Sequence, residues 1–142
     1  MAESVIFVCT GNSCRSQMAQ GLLTFLGNGR FDAFSAGTDP QGLNPLAVSV
    51  MDELGIDICA YRSESIDWYA KRHFDFAITV SDRAKETCPV FPGGGKRLHW
   101  SFEDPAAATG TIEERLAVFR LVRDEIKQAL QLFVTQPTRG NR

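Results

Sequence analysis

The sequence predicts an α/β fold: a four-stranded parallel sheet with helices on both faces. Three observations predict it. Short apolar runs alternate with segments of helical period, in the order β-α-β-α-β-α-β-α. The first run, Val5-Ile6-Phe7-Val8, has no polar residue in it, as expected of a strand buried on both sides. Glycine, proline and asparagine stand where the period changes.

Ser4 to Val8 is the first strand, bounded by the Gly11-Asn12 turn. After Arg15 the period becomes helical: Met18, Leu22 and Leu26 lie four apart, with Ala19 and Leu23 beside them. Gly27 and Gly29 are expected to stop that helix. Phe31 to Ala36 is the second strand, ended by Gly37, and Thr38 to Pro45 is a loop. Ala47 to Leu54 is helical and Gly55 closes it. Ser65 to Arg72 is a short helix, and Phe74 to Val80 the third strand. Asp82 to Thr87 forms a turn of helix before Cys88-Pro89. The flexible connection Pro92-Gly93-Gly94-Gly95 leads to a fourth strand, Lys96 to Trp100. Thr111 and Glu114 make a capping box. The long helix after it carries Ile112, Leu116, Phe119, Val122, Ile126, Leu130 and Phe133 on one stripe. Residues from 135 on are expected to fray. No repeat, low-complexity run or internal linker interrupts the chain, so residues 1–142 are expected to form one domain.

Composition narrows the function. Apolar residues make up 44% and charged residues 23%, with a net charge of −2. That balance gives no basic surplus for nucleic acid or an anionic membrane. The start, Met1-Ala2-Glu3-Ser4, lacks a basic stretch, and the apolar run after it is too short for a signal peptide or membrane span. A cytoplasmic, monomeric protein is expected. Its four cysteines, Cys9, Cys14, Cys59 and Cys88, are too few for a disulfide scaffold. With no C-x-x-C pair, and no metal spacing at His73 or His99, no metal site is expected.

The densest chemistry lies in C-T-G-N-S-C-R-S, Cys9 to Ser16. Cys9 and Arg15 have the C-x5-R spacing, which is weak alone and strong in this context. A strand ends at Cys9, small residues follow, and a helix starts near Arg15. Loop N–H groups from Thr10, Gly11, Asn12, Ser13 and Cys14 then converge on one point, aided by the helix N-terminus. The result is a nest for a tetrahedral oxyanion, with the Arg15 fork added. The same field favours a thiolate at Cys9, to which Ser16 can donate a hydrogen bond. Asn12 tolerates the left-handed backbone such a loop needs. A thiolate attacking an ester needs a proton donor for the leaving oxygen. Asp104, in W-S-F-E-D-P, follows the fourth strand and is the candidate, alongside its reading as an ordinary Asp-Pro turn.

Beyond these residues the segments S-A-G-T, G-L-N-P-L-A-V, G-I-D-I, C-P, H-W-S-F-E-D-P and F-R-L-V-R-D-E-I resemble the thioredoxin-coupled arsenate reductases built on the low-molecular-weight protein tyrosine phosphatase fold. The resemblance runs from about Val5 to Phe133. It implies that Cys9 is the nucleophile, Arg15 the oxyanion clamp, Asp104 the general acid and Ser16 a stabiliser of the thiolate. It implies arsenate or phosphate as the bound oxyanion, no bound cofactor, and electrons from an external thiol donor. The stretch after the acid, D-P-A-A-A-T-G, lacks the aromatic pair of the phosphatases. Cys88-Pro89 matches the last cysteine of the reductase relay, in which a second cysteine attacks the first and a third attacks the second.

Two departures stand out. The relay's second cysteine falls at Ser81, whose hydroxyl cannot form a disulfide. Three accounts compete: an introduced Cys→Ser change, resolution of the Cys9 adduct by Cys88, Cys14 or an external thiol, or a mainly phosphatase activity. Thioredoxin is the implied donor, with glutaredoxin or a low-molecular thiol as the others. Gln20 stands where many relatives have a glutamate that helps bind potassium, so no required metal is expected. Cys14 reads as a small loop filler and Cys59 as a semi-buried residue.

Overall fold

The computed structural model describes residues 2–136. Its centre is an all-parallel sheet of β1 (Glu3–Cys9), β2 (Phe31–Gly37), β3 (Phe76–Thr79) and β4 (Lys96–His99), in the spatial order β2-β1-β3-β4. Four α-helices accompany it: α1 (Arg15–Gly27), α2 (Pro45–Asp52), α3 (Asp82–Thr87) and α4 (Ile112–Val134). Short 3-10 turns cover Ile66–Tyr69 and Pro105–Ala107.

β1 pairs with β2 from Glu3↔Phe31 to Cys9↔Gly37, and with β3 from Val5↔Phe76 to Val8↔Thr79. The chain leaves β1 toward one side of the sheet and returns to the other, so strand order reverses between β1 and β3. Ligands of such sheets bind beyond the carboxyl ends at this reversal. Cys9 ends β1 at that place.

Side-chain alternation along β1 divides the interior in two. Val5, Phe7 and Cys9 belong to the larger core, with Met18 and Leu22 of α1, Met51 of α2, and Phe119, Val122, Ile126 and Leu130 of α4. Ile6 and Val8 belong to a smaller one, with Phe74, Ala84 of α3, Cys88 and Phe91. Helices therefore cover both faces, unequally.

Local chemistry moves several expected boundaries. α2 starts at Pro45, inside the expected loop, because the Asn44 side chain accepts the Leu46 N–H at 2.8 Å and proline's fixed φ suits the first helical position. Gly27 is the last residue of α1, and Asn28, at φ +48°, takes the left-handed cap expected of glycine. The expected 65–72 helix shrinks to the 3-10 turn, capped by Ser65 accepting from the Asp67 N–H. The capping box at Thr111 and Glu114 is present in both directions. Ile112, however, lies ahead of the buried stripe and is exposed. Gly95 is a packing glycine: a Cβ there would lie 1.9 Å from the Phe74 carbonyl oxygen. Cys59 is exposed, not semi-buried, in a surface turn where its N–H donates to the Asp57 carboxylate at 2.9 Å. The tail expected to fray lies, from residue 137 on, outside the described residues. No helix among the described residues is long and apolar enough to cross a membrane.

One polar clamp ties the starts of β1 and β3 together. Asp75 accepts from the Ser4 N–H at 2.8 Å and from its hydroxyl, while Ser4 Oγ accepts the Asp75 N–H at 3.0 Å. The Ser4 N–H, assisted by the His73 ring, holds the Asp75 carboxyl below the usual range. A carboxyl so lowered stabilises the fold above about pH 4 and loses that contribution as the pH falls through its lowered value. Asp75→Asn should therefore lower Tm at pH 7, and the gap from the unchanged chain should narrow as the pH falls below about 4. Calorimetry across that range checks it; a gap independent of pH would assign the effect to shape and not charge.

Candidate active site

The Cys9–Cys14 loop turns its carbonyls outward, and each has a donor. The Cys9, Thr10, Gly11 and Ser13 oxygens accept the N–H groups of Thr38, Asp39, Gln41 and Asn44 at 2.8–3.1 Å. The Asn12 oxygen accepts from Ser63 Oγ at 2.6 Å and Gln17 Nε2 at 3.0 Å, and the Cys14 oxygen from the Met18 N–H at 2.9 Å. With the carbonyls drawn out, the peptide N–H groups point into the loop. Among the described residues no protein acceptor faces the N–H groups of Gly11, Ser13 and Cys14. This is the nest expected for an oxyanion. The 38–44 loop, read from sequence only as a connection, is what holds the nest open. Gly37 lets it approach, since a Cβ there would lie 2.6 Å from the Thr10 carbonyl oxygen.

Cys9 Sγ is buried and receives two contacts: Ser16 Oγ at 2.8 Å and the Asn12 N–H at 3.0 Å. Asn12 has φ +47°, the left-handed conformation expected of it. Its Nδ2 donates to Ser16 Oγ at 2.7 Å, leaving the Ser16 hydroxyl proton free to point at sulfur. Arg15 opens α1. One guanidinium nitrogen donates to the Phe102 carbonyl at 3.1 Å and another lies 3.9 Å from Asp104 Oδ2. Asp104 Oδ1 accepts the Ala106 N–H at 3.0 Å, which fixes the carboxyl at the head of its 3-10 turn. Cys9, Thr10, Gly11, Ser13, Cys14, Arg15 and Asp104 share a cavity of about 320 Å³, with Asp39, Gln41 and Ala106 at its rim. A hollow of about 370 Å³ between β4 and α4 carries no nucleophile or acid.

Ser81 borders the loop without lining that cavity. Its hydroxyl accepts the Ala84 N–H at 3.2 Å as the cap of α3 and meets Thr10 Oγ1 at 3.2 Å. A serine cap is worth about 1 kcal/mol over alanine. Cys88 is not brought to the cavity. It packs with Ile6, Val8 and Ala84 in the smaller core, across the sheet from Cys9. Arg97 of β4 holds its segment through the Cys88 and Pro89 carbonyls. Burial pushes the Cys88 thiol up, against the pull of the Arg97 charge. His99 bridges Thr79 and Asp82, at 2.7 and 2.9 Å, and so ties the first turn of α3 to β4. Its bond, then that of Ser101, holds Asp82 below the usual carboxylate range. The Gln20 amide accepts from Ser35 Oγ at 2.7 Å and donates to the Ala33 carbonyl.

Comparison with known proteins identifies the family and agrees with the fold. The low molecular weight phosphotyrosine protein phosphatase family matches residues 4–140. The chain belongs to that family. Within it, the chain is 47% identical over 130 residues to an arsenate reductase of Halalkalibacterium halodurans, covering 91% of this chain and 93% of the relative. It is equally identical, over the same length and shares, to an arsenate reductase of Bacillus subtilis. A solved arsenate reductase in the phosphate binding state has a TM-score of 0.75 at 30% identity, covering 96% of this chain and 99% of that one. The fold that carries the Cys9 loop is thus that of the family.

Sequence reading missed Gln17, Asn44 and Ser63 as supports of the loop. Asn44 had a signal in its Asn-Pro pair, and Gln17 in being a polar residue beside the buried Met18 of α1. Cys14 sits in the loop as a thiol: burial, above all, pushes it up to about 11, with the Asp104 and Cys9 charges adding and the Ser13 hydroxyl opposing. Below that value its thiolate fraction rises about tenfold per pH unit. Alkylation of Cys14, followed by mass spectrometry, should therefore keep accelerating to about pH 10. A plateau below pH 9 would contradict the burial.

Proposed function

We propose that the chain reduces arsenate to arsenite, with Cys9 as nucleophile. The observation that carries the reading is the buried Cys9 sulfur, bonded by Ser16 and Asn12, at the floor of a loop whose carbonyls all point away. Arsenate lies in the Thr10–Arg15 nest, its oxygens on the N–H groups and the Arg15 fork. The Cys9 thiolate attacks arsenic, and Asp104 protonates the departing hydroxide to water.

The second step needs a thiol. It attacks Cys9 Sγ, a disulfide forms, and the electron pair of the S–As bond stays on arsenic, which leaves as arsenite. Two sulfurs are oxidised and arsenic(V) becomes arsenic(III). Ser81 cannot supply that thiol, Cys88 packs on the opposite face of the sheet, and Cys14, although in the cavity, is kept protonated by its burial. The attacking group is therefore an external thiol of the glutathione or glutaredoxin class, reaching the cavity past Asp39 and Gln41. No bound cofactor enters. Thioredoxin becomes the donor only when a cysteine stands at 81, so that Cys88 can carry the disulfide outward as the 81–92 segment moves.

The test runs this chain and Ser81→Cys side by side. The unchanged chain should reduce arsenate with glutathione and glutaredoxin and stay silent with thioredoxin and its reductase. Ser81→Cys should gain thioredoxin-dependent NADPH oxidation. Arsenate reduction surviving in Cys9→Ser would overturn the reading.

A second reading is favoured by what the cavity contains. Cys9, Arg15 and Asp104 suffice for phosphomonoester hydrolysis through a cysteinyl phosphate, and Ser81 does not obstruct it. Slow cleavage of p-nitrophenyl phosphate is expected, without aromatic discrimination because Ala106 stands beside the acid. Arg15→Lys, which loses the two-pronged clamp, should lower kcat in both reactions by about 10²–10³. Equal rates would show that the fork does not hold the transition state.

A further inference from the structure

Gln17 lies under the oxyanion loop in the first turn of α1, fully buried and outside the reaction just described. Its Nε2 donates to the Asn12 carbonyl at 3.0 Å and the Arg62 carbonyl at 3.0 Å, and lies 3.3 Å from Asn12 Oδ1. All three are acceptors, so only the amide nitrogen can face them. The Gln17 oxygen must then face Ser35, whose hydroxyl lies 3.4 Å away.

That orientation sets the next one. Asn12 Oδ1 takes the Glu64 N–H at 2.8 Å and faces Gln17 Nε2, so Asn12 Nδ2 must face Ser16. Ser16 Oγ accepts there and turns its proton to Cys9 sulfur. One direction of donation runs from Gln17 through Asn12 and Ser16 to the thiol. Gln17 also gathers three oxygens that would otherwise repel one another beneath a residue held at positive φ.

We infer that Gln17 is a positioning residue for Cys9: its amide holds the left-handed Asn12 by its carbonyl and, together with the Glu64 N–H, fixes the sense of the Asn12–Ser16–Cys9 bonds. The inference rests on Cys9 being the nucleophile, but it concerns the state of the sulfur and not the fate of arsenic. A carboxylate at 17 would place oxygen against three oxygens. A leucine would leave the Arg62 carbonyl without its donor and the Asn12 amide oxygen held by the Glu64 N–H alone. An asparagine, one methylene shorter, would fail to span the Asn12 and Arg62 carbonyls.

The test is alkylation of Cys9 by iodoacetamide at fixed pH, with the exposed Cys59 as internal reference and no arsenate present. Gln17→Leu and Gln17→Asn should each slow Cys9 at least about tenfold relative to Cys59, with Gln17→Glu slower still. Phosphate should also protect Cys9 less in each variant. Circular dichroism identifies which variants remain folded. Cys9 alkylation within twofold of the unchanged chain in either folded variant would overturn the inference. If no variant folds, the unchanged chain decides: the Gln17 side-chain amide protons should exchange at least about a hundredfold more slowly than those of Gln41 at the cavity rim. Equal exchange would overturn it. Failure of the unchanged chain to reduce arsenate, with Cys9 alkylation slowed in the variants as expected, would count against the arsenate reading alone.

Discussion

A loop can offer its N–H groups to an anion only when its carbonyls are satisfied elsewhere, and the site depends on that constraint. From Cys9 to Cys14 each carbonyl finds a donor in the 38–44 loop, in Ser63 and Gln17, or in the first turn of α1. The parallel pairing of β1 with β2, ending at Cys9↔Gly37, brings the 38–44 loop alongside. Gly37 removes the one side chain that would keep the two segments apart. The nest is therefore a property of two neighbouring strand ends, built as much by the second as by the first.

Below it the sheet separates two kinds of thiol. Cys9 ends the β1 face that packs on α1, α2 and α4, while Cys88 is buried with α3 on the reverse. Ser81 stands where the two regions meet, with its hydroxyl shared between the α3 cap and Thr10. A thiol at that point could exchange with both sides; a hydroxyl serves only to hold them. This geometry is why an outside thiol enters the proposed chemistry, and why residue 81 is proposed to select the donor.

Much of the fold was legible because its signals are local. The unbroken Val5–Val8 run, the helical period after Arg15 and the Thr111–Glu114 box each report on neighbours a few residues away. The misreadings are also local in cause. Asn44-Pro45 suits a loop and a helix start equally, and Asn28 could take a left-handed cap that was assigned to glycine. Ile112 continues the α4 stripe in spacing, yet it sits ahead of the turn that reaches the core.

The sequence by itself determined the strand–loop–helix around Cys9, the Cys9–Arg15 spacing, the left-handed tolerance of Asn12 and the absence of a thiol at 81. Tertiary structure decided what faces those residues. Asp104 reaches Arg15 across 89 positions of chain, Gln41 and Asn44 draw out the loop carbonyls, and Arg62 completes the Gln17 clamp. Burial separated Cys88 from the cavity that its motif suggested. The physical reason is one of range: backbone preference and capping act within a few residues, whereas hydrogen-bond partners and burial are assigned only when distant strand ends are brought together.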